Sequence, residues 1–166
     1  MFALKPISHD SVAGALAKAE RYRLLNEPSE AESICHDILQ IEPSNQAALI
    51  SLILALTDQI PQDTRAFADA LATVSHLDSP YDRAYYAGIA WERRAKARHQ
   101  TGGPGAERYV YEWIVTALQL FETAEPLRLQ GNDDVLLRWN ACIRFLSHHR
   151  DLAPATVDIA EPIVSE

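Results

Sequence analysis

Glu30-Ala31-Glu32-Ser33-Ile34-Cys35-His36-Asp37-Ile38-Leu39-Gln40-Ile41-Glu42-Pro43-Ser44-Asn45 decides how this chain folds. Ala31, Ile34, Cys35, Ile38, Leu39 and Ile41 recur at steps of three and four, the period of a helix that buries one face. Pro43 cannot prolong that helix, because proline lacks an N–H and its ring clashes with the preceding turn. Ser44 then offers a hydroxyl to cap a following helix at residues 46–57. Read together, these residues are the end of one helix, a tight connection and the start of another.

The same punctuation extends in both directions. Pro28, Pro61, Pro80, Pro104 and Pro126 divide the chain into pieces of helical length. They predict seven helices, at about residues 11–26, 28–42, 46–57, 61–76, 81–99, 106–124 and 132–149. Ser8 and Asp10 are candidate caps for the first, and Ser79 followed by Pro80 opens the fifth. The fourth carries Phe67, Leu71, Val74 and Leu77 on one face. The sixth is apolar on two sides, with Val110, Ile114, Ala117 and Phe121 on one and Tyr109, Trp113 and Leu120 on the other. That predicts a central place for it among the helices. The seventh presents Val135, Trp139, Cys142 and Leu146.

The chain has 166 residues, which fits a single helical domain over residues 1–150. Residues 151–166 hold two prolines, four acids and no base, and read as an acidic tail. A net charge of -8 repels phosphate backbones and argues against a nucleic-acid partner. The N-terminal residues lack the apolar core of a signal peptide, and no apolar run is long enough to span a bilayer. Cys35 and Cys142 sit in apolar helical stretches and read as buried free thiols of a reducing compartment. These features predict a cytoplasmic protein without a membrane partner. The shortness of the chain points to a bacterial source.

Residues 12–45 resemble one unit of the tetratricopeptide repeat (TPR) family. Small Ala15, close-packing Ala19, aromatic Tyr22, small Ala31, Cys35 in place of a large aromatic, and the closing Pro43 carry the likeness. A second unit, residues 46–79, matches mainly through Leu77, Asp78 and Pro80. A third, residues 81–124, matches through Ala84, Ala87, Gly88 and Trp91, with an enlarged loop and a long second helix. Residues 132–149 would then be a capping helix. The resemblance implies an all-α fold of antiparallel helix pairs stacked as a right-handed superhelix. It also implies a protein-interaction module that binds a peptide or protein segment on the concave face. Leu16, Glu20, Arg23, Ile50, Leu54, Tyr85, Ile89, Glu92 and Arg93 would line that groove. The lysine and asparagine set with which some TPR domains clamp a terminal carboxylate is missing from the first pair.

Candidate chemistry is sparse. Thr101-Gly102-Gly103-Pro104-Gly105 lacks the lysine and hydroxyl of a phosphate-binding loop. The six histidines form no metal-ligand spacing, and no nucleophile elbow is present. Neither a catalytic role nor a metal or cofactor is expected. The run Arg93-Arg94-Ala95-Lys96-Ala97-Arg98 is a basic patch in an acidic chain. Arg94, Lys96 and Arg98 would dock an acidic segment, either residues 151–166 or a partner's. An alternative function is a small-molecule or effector site in an aromatic pocket of the last three helices. Trp113, Arg138, Trp139 and Asn140 are its candidate residues, with Asn140 placed on a buried face. Val12, Leu16 and Ala19 would leave an apolar end face on the first helix, suited to a homodimer.

Overall fold

The computed structural model describes residues 2–152. Among them the fold is all-helical, with seven α-helices and no strand. These are α1 (Val12–Leu24), α2 (Pro28–Ile41), α3 (Gln46–Gln59), α4 (Ala66–Val74), α5 (Pro80–Thr101), α6 (Ala106–Ala124) and α7 (Asp134–His148). None is long and apolar enough to cross a membrane. The expected tail lies outside the described residues from residue 153 onward.

Local chemistry explains most helix ends. Asn45, rather than Ser44, caps α3: its side-chain oxygen accepts a 2.9 Å bond from the Ala48 N–H. Ser79 accepts from the Asp82 N–H at 3.1 Å and Pro80 begins α5, as the sequence predicts. Ser8 and Asp10 do not cap α1. They belong to a 3-10 turn and its entry, and Ser11 precedes the helix without a side-chain cap. The helix predicted at residues 61–76 shortens to α4. Its first residues form turns instead, with the Arg65 N–H donating to Asp63 Oδ1 at 2.8 Å.

Each helix packs against the next, and the odd-numbered helices also pack on one another: α1 on α3, α3 on α5, α5 on α7. Small residues make the first pairs close. Ala19, Ala31 and Cys35 are fully buried between α1, α2 and α3, with Tyr22 and Ile34 against them. Their small side chains let the three helices approach closely. The central helix is α5, which touches α3, α4, α6 and α7; the expectation for α6 was misplaced. Val110, Ile114, Ala117 and Phe121 of α6 are fully buried, but Tyr109 on its second side is 48% exposed. Gly88 lets the two long helices meet: a Cβ there would lie 2.4 Å from Phe121 Cε1.

Val12 and Ala19 are interior, so the apolar end face expected on α1 does not exist in that form. Ile7, α2 and α3 cover it, with Ile38 and Ala48 against Val12, and Ala31 and Cys35 against Ala19. Exposed leucines sit instead at the far end of α1, where Leu24 is 89% and Leu25 is 60% exposed.

Candidate functional site

The odd-numbered helices carry a line of charged groups across their shared layer. Arg23 of α1 donates from Nε to Asp58 Oδ2 of α3 at 2.9 Å. Arg93 of α5 bonds the other oxygen of the same carboxylate. Arg93 also donates to Thr57 Oγ1 at 2.8 Å and to the Leu54 carbonyl at 3.3 Å. One carboxylate thereby ties three helices together with charge-assisted bonds. Burial holds the Arg93 pKa below the ordinary arginine value, with Asp58 pulling it back up.

One residue earlier on α5, Glu92 is 1% exposed. Lys96, one turn on, donates to its Oε1 at 2.5 Å. Its Oε2 has no hydrogen-bond partner, and Arg138 of α7 stands 3.6 Å away. That buried oxygen is held by charge rather than by a hydrogen bond, so Glu92, Lys96 and Arg138 join α5 to α7. Tyr85 lies beside this group, and burial raises its phenol pKa while Arg138 lowers it. Cys142 lies there too. Burial first, and Glu92 second, push its thiol up to about 12, which keeps it protonated and unreactive. Cys35 is raised by burial as well, and both cysteines are free.

Of the nine groove residues expected from the sequence, Leu16 and Ile50 are half-buried and Glu20 is exposed, and the other six divide into two sets. Arg23, Leu54 and Arg93 do reach the odd-helix layer and stay partly exposed. Tyr85, Ile89 and Glu92 are interior, at 9%, 1% and 1% exposure, and offer no surface to a partner. The reason is α5's central place, because a helix with neighbours on four sides has little face left for solvent.

The basic run does not form one continuous patch, although Arg94 and Arg98 line a common cavity. Successive residues of a helix point about 100° apart, so four cations on a central helix meet different neighbours. Arg93 turns to α3, Lys96 to Glu92, and Arg94 to α4 and α6. Arg98 reaches the Pro104 carbonyl at 3.4 Å. The acidic segment expected to dock there lies, from residue 153 on, outside the described residues.

The aromatic pocket expected from Trp113, Arg138, Trp139 and Asn140 does not assemble. Trp113 packs toward Arg94 and Trp91, whereas Arg138 faces Glu92. Trp139 packs partly buried on the core of the last three helices. Asn140 is exposed, on the outer side of α7, and needs no buried partner. The signal missed was Asp58: it is an ordinary acid in sequence, and only the tertiary fold sets it between two arginines. His99 and His149 are a second unforeseen pair, with ring centroids 4.4 Å apart beside Phe145. Among the described residues, no three His, Cys, Asp or Glu side chains gather as a metal site.

Comparison of the chain with protein-family models, with curated proteins and with solved structures returned no match.

Proposed function

We propose that this chain is a protein-interaction module of stacked, TPR-like helix pairs that binds an acidic peptide segment across its odd-helix layer. The observation that carries this reading is a charge surplus. Four cations there, Arg23, Arg93, Lys96 and Arg138, share two carboxylate partners, Asp58 and Glu92, in a chain whose net charge is -8. The four basic side chains keep between 20% and 37% exposure, so their outer N–H groups remain open to a ligand. Arginine forks bind carboxylates through paired hydrogen bonds, and the surrounding low-dielectric helices strengthen each one. The acidic remainder of the surface would steer such a segment away from every other face.

Selection of displayed peptides against the folded chain tests this. Enriched peptides should be acidic. Their affinity should fall about tenfold or more in Arg23→Gln and in Arg138→Gln, the size of one lost charge-assisted bond. It should also weaken with added salt. Enriched peptides without acidic residues, or affinities indifferent to both variants and to salt, would refute the reading.

A further inference from the structure

A second feature stands on another side of α5. Arg94 is one residue beyond Arg93 and turns out of the odd-helix layer. Its guanidinium carbon lies 4.2 Å from the ring centre of Phe67 in α4 and 4.1 Å from that of Trp113 in α6. Trp91 is a third ring, at 5.3 Å. Rings at these distances hold a guanidinium by cation–π attraction and fix its plane. Fixing the plane leaves its N–H groups pointing outward along the edge, where they can meet a ligand.

Among the described residues, Arg94 makes no ion pair and donates no hydrogen bond, whereas Arg93 and Glu92 on the same helix each face a charge of opposite sign. Its side chain is half-buried and lines an open space on this side of α5. That space is a cavity of about 290 Å³. Phe67, Trp113, Ile60 and Pro61 form its apolar walls, and Arg98 lines it as a second cation. Thr64 and Thr101 add hydroxyls, and among the described residues no carboxylate lines it. Arg98 spends one weak bond on a backbone carbonyl and keeps the rest of its fork.

We infer that this cavity binds a small organic carboxylate with a flat apolar body. The two arginines would take the carboxylate, and Ile60, Pro61 and the ring edges of Phe67 and Trp113 not covered by Arg94 would line the body. Four observations converge on that chemistry: two cations, no counter-charge among the described residues, apolar walls and a size at the low edge of known ligand pockets. A cavity of this volume suits a body of about one or two rings and excludes a folded peptide. The site is independent of the peptide-binding layer, since α5 separates Arg94 from Arg93 by about 100° of helix rotation. Failure of either reading leaves the other standing.

The test is a heteronuclear NMR titration of the full chain with 2-naphthoate. Its uncharged amide and inorganic phosphate serve as controls. The three tryptophans give an internal map. The indole N–H signals of Trp113 and Trp91 should move with added naphthoate, and that of Trp139 should stay. Arg98→Gln should weaken binding about tenfold, the size of one lost charge-assisted bond. Its only described side-chain bond is the weak one to Pro104, so the fold should survive. Arg94→Gln should abolish the shifts; the Arg98 variant decides the matter should that protein fail to fold. Naphthoate without effect on Trp113, equal binding by Arg98→Gln, equal binding of the amide, or phosphate binding as tightly as naphthoate would each overturn the inference.

Discussion

A methyl group added at Gly88 would lie 2.4 Å from Cε1 of Phe121, whose side chain is wholly buried. Alanine is the better helix former by about 1 kcal/mol, so local propensity alone favours Gly88→Ala. Overpacking a close-packed site costs about 1–3 kcal/mol and wins here, because three ring atoms of the fully buried Phe121 crowd the added Cβ. Gly14 makes the control. It sits in exposed α1, and a Cβ added there would meet nothing within 4 Å, so only the propensity gain applies. Thermal unfolding of the two variants should therefore shift in opposite directions, Gly88→Ala down and Gly14→Ala up. The resemblance in sequence had named Gly88 only among the residues that match a first-helix pattern. It did not name Phe121, which lies 33 positions away in α6, as the side chain that needs the room. Asn140 is the opposite case. Helical spacing put it beside Leu136 and Ile143, yet Ile143 is itself 41% exposed, so the face that looked interior is an outer one.

Among the elements, α3 shows how a helix start is specified by few atoms. Asn45 accepts from the Ala48 N–H through Oδ1 and donates through Nδ2 to Glu42 Oε2 at 2.7 Å. That second bond, with a smaller part from His9, holds the Glu42 carboxyl below the usual carboxylate range. Asn45→Ala should cost about 1 kcal/mol in chemical denaturation, the ordinary worth of a helix cap. It should also let the Glu42 pKa climb back toward its usual value, which side-chain NMR titration reads directly. A drop in stability with an unmoved Glu42 would mean that the cap alone matters. The punctuation by Pro28, Pro43 and Pro80 made α2, α3 and α5 legible, since proline acts on its own turn. Residues 61–65 misled because Pro61 is as compatible with a turn as with a helix start. The Asp63 side chain tips the balance toward the turn by bonding the Arg65 N–H.

For the whole molecule, the core of the last three helices contains groups that ionise only at a cost. Tyr86 is pushed from 10.0 up to about 12, first by burial and then by Asp82. Cys142 is raised from 9.0 to about 12 by burial and then by Glu92. Both are neutral when protonated, and in the unfolded chain both lose the proton more readily. Their contribution to stability is thus complete below pH 9 and is lost as pH rises through the window from 9 to 12. Far-UV ellipticity should hold constant through mildly alkaline pH and then fall cooperatively within that window. Cys142→Ser should narrow the loss at its lower end, since the serine hydroxyl does not ionise there. A chain that begins to unfold well below pH 9 would show that other groups govern its alkaline limit.

Helix class, helix number and most helix ends follow from the sequence by itself, because periodicity, caps and proline act within a few residues of one another. The small residues that close the first helix pair were also legible, since Ala15, Ala19 and Ala31 stand out in the sequence among larger side chains. What only the tertiary structure decided was neighbourhood. It made α5 the central helix, and that single fact buried Glu92 and Ile89. It split a basic run between two sides of α5, with Arg93 and Lys96 on the odd-helix layer and Arg94 and Arg98 on one cavity, and set Asp58 between Arg23 and Arg93. The physical reason is that a helix fixes where each side chain points but not what stands opposite it. Which cation keeps a partner, and which, like Arg94, is left facing a cavity, depends on helices far apart in the chain.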